Sequence, residues 1–260
     1  MLVFNELDLE FFKKNGYLTN DFLCNNDDFL KISNELKLDL EKYINNNFEI
    51  IKKLGGFKSG NLNFISKNHS ENIIRLLYKN NFKEYLSFLI KDDISTYELK
   101  LGGNLNFPKS KYQFFHTDGN WNPRMIVINI ATSDINNLNG PLEIIEGSHT
   151  NKYPYWKFFL KNFFFKKRRL NLKKGEIIIR EHRLWHRGTS NKSENIREMI
   201  GLMFIKKSYE KKKSFKMNGE NLVIFSNIFG TSNREKLKEF IFLNLRFFFS
   251  MYKIIISIIK

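Results

Sequence analysis

The 260-residue chain carries a net charge of +16, with 42% hydrophobic residues, 27 phenylalanines and a single cysteine, Cys24. This length and hydrophobic content suit one domain with a sizeable core, and a lone cysteine excludes an intramolecular disulfide scaffold. The basic residues are mostly dispersed and accompany no recognised nucleic-acid-binding motif, so we expect a solvated basic surface and no nucleic-acid partner.

At the start of the chain, residues 1–8 lack the basic beginning and long apolar stretch of a signal peptide, so we expect a cytoplasmic protein. Residues 1–95 are predicted to be mainly helical. Capping residues at 26–28 precede apolar residues of helical spacing over 29–38, and a second helix is predicted over 70–90.

From about residue 96 the apolar residues follow the spacing of short strands separated by turns. The predicted strands cover residues 96–101, 112–116, 125–131, 142–145, 176–180 and 199–205, and the first of them ends at Gly102-Gly103. Such a series favours a sandwich or barrel over alternating strand–helix units. We therefore predict a mainly β fold with flanking helices around a double-stranded β-helix, the jelly roll of cupin-like proteins, covering residues 96–206 of a single domain at 1–260.

Two segments depart from the strand pattern. Residues 151–170 form an aromatic and basic insertion in the predicted core, and residues 207–260 form a helical, apolar C-terminal extension. Within that extension, residues 240–260 are nearly long enough to span a bilayer, but Arg246 and Lys253 make a spanning helix costly. We favour a helix docked on the domain, and peripheral membrane contact through 240–260 stays open as an alternative.

A metal site is indicated by two histidines and one aspartate. His116 and Asp118 flank Thr117, so on a strand both side chains would lie on one face. His186, in a later segment, would supply the third ligand. Two imidazoles and one carboxylate leave coordination positions open, which is typical of non-haem Fe(II) oxygenases. A His-x-Asp pair alone is a weak signal, more often a surface pair or a satisfied core group.

Arg197, eleven residues after His186, is the candidate docking point for an organic acid. A guanidinium binds a carboxylate through two parallel hydrogen bonds, which lysine cannot match. The alternative is an ordinary surface arginine after the charged loop at 192–195. His182 precedes His186 by four residues, but the segment has the pattern of a strand or turn, so we expect His182 to be structural or to support the site.

Further motifs accompany these residues in order. A turn at Asn139-Gly140-Pro141 leads into Gly147-Ser148-His149, and His186 opens a segment that continues through Gly188 to Asn191. Together with the His-x-Asp pair and Arg197, this set resembles the phytanoyl-CoA dioxygenase family of iron- and 2-oxoglutarate-dependent oxygenases, over residues 110–206 and more loosely from residue 8. The sequence departs from the family pattern at Glu146, where proline is frequent, and at Thr117, where glutamine is frequent.

The resemblance implies that His116, Asp118 and His186 hold Fe(II) and that Arg197 binds the distal carboxylate of 2-oxoglutarate. It also implies that Asn129 contacts the co-substrate, at a position where an aromatic residue is common. Dioxygen would be the second co-substrate, with ascorbate as an auxiliary reductant. The implied reaction hydroxylates an unactivated C–H bond of a small-molecule substrate and releases succinate and CO2. Two alternatives stay open: a cupin-like activity without 2-oxoglutarate, and a non-catalytic protein acting at a membrane surface or on an anionic partner.

Overall fold

A computed structural model describes residues 2–60, 62–207, 221–226 and 232–259, so parts of the predicted C-terminal extension, 208–220 and 227–231, lie outside the described residues. The strands are β1 Tyr17–Asn20, β2 Leu62–Ser66, β3 Tyr97–Asn106, β4 Met125–Ala131, β5 Leu142–Ile145, β6 Lys167–Leu170, β7 Ile177–Glu181, β8 His186–Gly188, β9 Arg197–Lys206 and β10 Leu222–Ser226. The helices are α1 Glu6–Asn15, α2 Asp27–Ile51, α3 Lys67–Tyr78, α4 Phe82–Ile90, α5 Tyr155–Lys161, α6 Asn233–Asn244 and α7 Arg246–Ile259.

The strands form two antiparallel sheets that face each other. The larger has seven strands in the order β1-β7-β4-β9-β3-β2-β10, and the smaller has three in the order β6-β5-β8. Ile178 of β7 and Met199 of β9 share a buried apolar cluster with Ile144 of β5 and Leu170 of β6. These contacts join the sheets through what we call the inner face of the large sheet, the face that carries Ile178 and Met199.

The opposite, outer face of the large sheet packs against the N-terminal helices. Ile128, Ile179 and Leu202 lie in one core cluster with Phe29 and Leu36 of α2. Helix α2 begins where predicted, because the side chain of Asn26 accepts a hydrogen bond from the Phe29 backbone N–H at 2.9 Å. The main hydrophobic core therefore lies between the helices and the large sheet.

Two local predictions were wrong. The helix predicted over 70–90 is two helices, α3 and α4, separated at Asn81, which has a left-handed backbone with φ 60°. The strand predicted to end at Gly102-Gly103 continues to Asn106. It continues because β9 pairs with β3 along its whole length, with Gly102 opposite Gly201.

The ends of the described chain complete the large sheet. β1 pairs with β7 at one edge, and β10 pairs with β2 at the other, so the C-terminal extension contributes a strand as well as helices. Among the described helices, none is by itself long and apolar enough to cross a membrane. Only α6 and α7 taken together meet that length and composition, and they are bent by 116°.

Candidate metal centre

The structure brings His116, Asp118 and His186 together. Their nearest ligand atoms all lie within 4.8 Å of one another. Asp118 Oδ1 lies 3.9 Å from His116 Nε2 and 3.6 Å from His186 Nε2. His186 is buried, whereas His116 and Asp118 are half-buried. In the described part of the chain this is the one group of His, Cys, Asp or Glu side chains arranged to hold a metal ion.

An isolated bridge, not the strand predicted over 112–116, holds this cluster. The backbone N–H groups of His116 and His186 each donate to the other residue's carbonyl at 2.9 Å. The Asp118 N–H donates to the carbonyl of His182, also at 2.9 Å. The two segments therefore run antiparallel at pairing distance, and the two imidazole centroids lie 4.5 Å apart. Pairing with β8 aligns the ligands although the earlier segment is irregular.

Backbone carbonyls fix the orientation of both imidazoles. His116 Nδ1 lies 2.8 Å from the Phe114 carbonyl, and His186 Nδ1 lies 2.9 Å from the Leu184 carbonyl. A carbonyl only accepts, so each Nδ1 carries the proton and each Nε2 keeps its lone pair. Metal-binding histidines are commonly held by such a hydrogen bond from the second ring nitrogen. The cluster thus presents two Nε2 lone pairs and a carboxylate oxygen toward one point.

The protonation states of the cluster are those that metal binding requires. Burial, with the nearby charge of Arg180, lowers the pKa of His186 to about 3. Burial also lowers the pKa of His116. The pKa of Asp118 is lowered overall. Burial raises it, but the charge of Arg180 and the adjacent imidazoles lower it by more. At neutral pH the imidazoles are therefore neutral and the carboxylate is ionised, as a divalent metal requires.

Arg180, at the end of an isoleucine run in β7, contacts the cluster and was missed as a site residue by sequence reasoning. Its Nη2 lies 2.6 Å from Asp118 Oδ2, and its Nε donates to Asn129 Oδ1 at 3.2 Å. It is buried, and its Nη1 has no hydrogen-bond partner. The available signal was a charge at the end of Ile177-Ile178-Ile179, since buried arginines are rare unless paired.

Arg197 opens β9 on the inner face, two residues before Met199. It is buried, and its Nη1 donates to Asn104 Oδ1 at 3.0 Å. Its Nε is buried without a partner, and no carboxylate of the described residues forms an ion pair with it. Burial lowers its pKa to about 10, so the guanidinium stays charged at neutral pH. An unpaired buried guanidinium is costly unless a ligand supplies the anion.

Beside Arg197 the inner face carries two glycines, where side chains would otherwise project. Gly102 and Gly201 pair across β3 and β9, and Gly201 pairs with Asn129 of β4. A Cβ added at Gly102 would have only two backbone oxygens within 4 Å, both 3.8 Å or more away. A side chain could be accommodated at either glycine without a close contact, so no side chain covers the inner face between Asn129 and Arg197 at these two positions.

A sequence profile of the phytanoyl-CoA dioxygenase family (PhyH) matches residues 58–199, just over half of the chain. The chain belongs to this family. The match includes His116, Asp118 and His186 and ends two residues after Arg197. No match was found among curated proteins.

Solved structures similar to this family member share its fold. The non-heme alpha ketoglutarate dependent carbocyclase SnoK from nogalamycin biosynthesis is 12% identical with a TM-score of 0.60, covering 85% of this chain and 96% of SnoK. The epimerase SnoN, solved with Fe3+, alpha ketoglutarate and nogalamycin RO, is 14% identical with a TM-score of 0.57, covering 77% and 82%. EctD from S. alaskensis, solved with Fe, is 15% identical with a TM-score of 0.54, covering 77% and 76%. The predicted jelly-roll fold with flanking helices is confirmed.

The other motif residues shape the backbone around the centre. In this phytanoyl-CoA dioxygenase family member, Gly140 has φ 88°, and a Cβ there would meet the Thr189 carbonyl at 2.8 Å. Asn191 Nδ2 donates to the carbonyls of Asn106 and Asn195, both at 2.8 Å. These residues fasten the segment after His186 to β3 and to the turn before β5.

Three further histidines lie outside the cluster, and two of them, His182 and His149, fasten segments near it. The His182 ring contacts the backbone N–H and carbonyl of Met125 and the carbonyl of Asn120, each at 3.0 Å, and so holds the loop that follows Asp118. His149 Nε2 lies 3.1 Å from the Lys13 carbonyl and joins the 3-10 turn at 148–150 to the end of α1. The role expected for His182, structural support of the site, agrees with these contacts.

Proposed function

We propose that the protein is an Fe(II)- and 2-oxoglutarate-dependent dioxygenase that hydroxylates an unactivated C–H bond of a small-molecule substrate. In this proposal His116, Asp118 and His186 hold the iron, Arg197 binds the distal carboxylate of 2-oxoglutarate, and Asn129 contacts the co-substrate. Bound iron, with 2-oxoglutarate and dioxygen, supplies the oxidation, and succinate and CO2 are released. Membership of the phytanoyl-CoA dioxygenase family supports this general kind of reaction.

The observation that carries the proposal is the buried Arg197 guanidinium, which donates to Asn104 but has no carboxylate partner among the described residues and whose Nε makes no hydrogen bond there. A dicarboxylate chelated at the metal would need a cation at its far end, and a guanidinium binds a carboxylate through two hydrogen bonds. A cupin-like protein that does not use 2-oxoglutarate has no need of this buried charge. The lack of side chains at Gly102 and Gly201 supports the same ligand.

The chain's own residues have distinct roles in this proposal. The Nε2 lone pairs of His116 and His186 bind the metal, because the other ring nitrogens are occupied by backbone carbonyls. Arg180 holds Asp118 Oδ2, which leaves Oδ1 facing the imidazoles. Arg197 orients the co-substrate. No side chain need act as a nucleophile, since the metal supplies the difficult step.

The insertion after β5 packs an aromatic cluster against the segments that carry the metal ligands. Phe158 of α5 stacks on Trp185 with centroids 3.6 Å apart, directly before His186 in the chain. Phe115, directly before His116, belongs to the same apolar cluster, and Tyr155 packs against it. The cluster includes Ile145, whereas Ile144, which pairs with His186, belongs to the cluster between the sheets, so the aromatic side chains lie on the opposite face of the small sheet and support the ligand segments from behind.

The site and the co-substrate are tested by anaerobic titration of the purified protein with Fe(II) and then 2-oxoglutarate. We expect stoichiometric iron binding, iron-dependent 2-oxoglutarate binding and a weak visible absorption band for the ternary complex. The variant His186→Ala should lose all three, whereas His149→Gln, at a histidine outside the cluster, should keep them. Failure of the unmodified protein to bind 2-oxoglutarate in the presence of iron would refute the proposal.

Hydroxylation itself needs a separate measurement, because two of the structural neighbours are described as a carbocyclase and an epimerase. Screening a metabolite panel for succinate release identifies a substrate. Mass spectrometry of its product then decides the reaction. A gain of one oxygen atom supports hydroxylation, and an unchanged elemental composition or a loss of hydrogen alone contradicts it.

We also infer that the chain forms one oxygenase domain. The N-terminal part contributes β1 and β2 to the large sheet, and the C-terminal extension contributes β10. Strands from all three parts of the chain therefore belong to one hydrogen-bonded sheet. Limited proteolysis should then give cooperative loss of the whole fold rather than a stable fragment.

A further inference from the structure

Helix α7 has one face on the protein and one apolar face exposed. Seven large apolar side chains project outward, and they recur every three to four residues, which places them on one side of the helix. They are Phe247, Phe248, Met251, Tyr252, Ile255, Ile258 and Ile259, all between 39% and 79% exposed. This set, which we call the outer stripe, contains no charged residue. Contiguous exposed apolar surface of this kind is unusual on soluble proteins and marks interaction sites.

The side of α7 opposite the outer stripe packs on the rest of the protein, so the stripe is exposed although the helix is docked. Arg246 stacks on the Tyr112 ring with its guanidinium carbon 3.8 Å from the centroid, and Phe249 packs on Phe114 with centroids 5.0 Å apart. Lys253 Nζ lies 4.2 Å from the Tyr155 ring centroid, and Ser257 Oγ accepts from the Trp156 N–H at 2.9 Å. Turning the stripe inward would break these contacts along the whole helix.

The surroundings of α7 are both apolar and basic. Helix α5 packs against α7, and the segment from α5 to β6 exposes Leu160 at 62%, Phe163 at 77% and Phe164 at 89%. The same segment exposes six basic side chains: Lys157, Lys161, Lys166, Lys167, Arg168 and Arg169. Lys166 and Arg168 form ion pairs with Glu146 and Arg169 forms one with Glu143, so the net positive charge here is smaller than six. The same segment contains no acidic residue, and the chain as a whole carries +16.

We propose that the outer stripe of α7 and the segment from α5 to β6 together dock on the surface of an anionic membrane. An apolar helix face bordered by lysine and arginine matches the acyl boundary and the negative headgroups of such a bilayer. A second copy of this chain would bring the same positive charge against itself, which disfavours self-association. Surface binding also agrees with the 116° bend between α6 and α7, because each helix alone is too short to span.

The side of α7 that packs on the protein contacts a residue that lies close in the chain to a ligand of the candidate metal centre. Phe114, which packs on Phe249 with ring centroids 5.0 Å apart, precedes His116 by two residues. A docked α7 would therefore hold the segment that carries His116 close to the headgroups, and the substrate would be an amphiphile taken from the bilayer. This consequence for the substrate rests on the proposed function, whereas the docking itself does not.

The test is co-sedimentation of the full chain with vesicles of phosphatidylcholine alone and of phosphatidylcholine mixed with phosphatidylglycerol. The unmodified protein should pellet with the anionic vesicles, less so at high salt, and alkaline carbonate should release it. The triple variant Phe248→Ser/Ile255→Ser/Ile259→Ser should bind more than about tenfold less, since each change removes apolar burial on docking. The matched control Leu38→Ser/Ile50→Ser/Leu138→Ser changes side chains 63–65% exposed elsewhere and should bind like the unmodified protein.

Several outcomes would overturn the docking. They are absence of binding to anionic vesicles, equal binding of the triple variant, equal binding to uncharged vesicles, and retention after carbonate treatment, which indicates a span. Dimerisation abolished by the triple variant, without vesicle binding, would assign the stripe to a second copy. Iron and 2-oxoglutarate binding by the triple variant should be unchanged, so failure of docking and failure of the proposed function are separately visible.

Discussion

The two faces of the large sheet contrast sharply although the same strands build them. On the outer face β4 and β7 present Ile128 and Ile179, fully buried against the helices. On the inner face the same strands present Asn129 and Arg180, which contact each other and lead to Asp118. Because neighbouring strand residues point to opposite sides, one short sequence serves both a hydrophobic core and a polar site.

The difference indicates that the outer face supplies stability and that the polar residues of the inner face, unlike its apolar residues Ile178 and Met199, lower it. Burying Ile128 contributes favourable free energy, about 1.5–3 kcal/mol for a side chain of this size. Burying Arg197 and Arg180 with nitrogens left unpaired is unfavourable until a ligand arrives. Polar residues whose burial lowers the stability of the fold are expected to have a function. Single substitutions on each face of the sheet test this contrast.

The largest effect on binding is expected when one of the three side chains proposed to hold the metal is removed. Asp118→Ala should lower Fe(II) affinity by more than ~100-fold, beyond the upper range for loss of a supporting residue. The fold should persist, because the side chain belongs to no apolar cluster. Iron stoichiometry after dialysis, with circular dichroism to check folding, measures both. A variant that retains stoichiometric iron would remove Asp118 from the centre.

The next largest effect concerns the co-substrate. Arg197→Ala should weaken 2-oxoglutarate binding by about 2–5 kcal/mol, as when one partner of a buried charged pair is lost. Iron affinity should not change. Arg197→Lys retains the charge without the two parallel hydrogen bonds, so its affinity should be intermediate. Calorimetric titration of the iron-loaded, oxygen-free protein makes the measurement. Unchanged affinity for Arg197→Ala would contradict the role of this residue.

The outer face should respond in the opposite way. Ile128→Ala should lower the free energy of unfolding by about 2–5 kcal/mol, through lost burial and the cavity left behind. Fe(II) and 2-oxoglutarate binding should survive wherever the protein is folded. Urea denaturation and metal titration of the same sample separate the two readouts. Loss of iron binding without loss of stability would break the division between the faces.

Arg180 sharpens the comparison, because it sits on the inner face but contacts only protein. Arg180→Met should weaken Fe(II) binding by about 10–100-fold, the range for residues that orient a metal ligand. Its positive charge also repels the metal, so tighter binding by Arg180→Met would mean that repulsion outweighs positioning. Arg180→Lys separates the two effects, since it keeps the charge but cannot contact Asp118 and Asn129 together.

The sequence predicted the residues of the candidate site more completely than it predicted the strands and helices around them. Motif spacing selected His116, Asp118 and His186 as one cluster, and the structure places these side chains together. The role of Arg197 stays a prediction. The family resemblance and the jelly roll followed from these motifs and from the strand series, and both are confirmed.

What sequence patterns missed depends on non-local pairing. Strands β1, β2 and β10 lie in parts of the chain predicted to be mainly helical, and they exist because strands of the large sheet pair with them. Gly102-Gly103 has the composition of a turn, yet full-length pairing with β9 keeps it in a strand. Arg180 was hidden because a charge that ends an apolar strand gives no indication of its partner. Each miss required knowledge of which distant segment lies alongside.

The smallest effect is expected at Lys253, on the helix that covers the metal segment. Burial lowers its pKa to about 8 from an ordinary 10.5, so the folded protein disfavours the charged ammonium. Between pH 8 and 10.5 the unfolded chain therefore binds more protons than the folded one, and stability should rise with pH across this window. Below pH 8 Lys253 is protonated in both states, and the free-energy penalty of burying its charge is constant.

Lys253→Met should stabilise the protein at pH 7 by about 1–2 kcal/mol, less than the full pKa shift implies because the side chain is partly exposed. Most of the gain should disappear by pH 10.5, because Lys253 of the unmodified protein is then neutral in the folded state and half neutral in the unfolded state. Denaturant titrations of both proteins at pH 7 and pH 10.5 give the comparison, and an equal difference at the two pH values would show that Lys253 is ordinarily solvated.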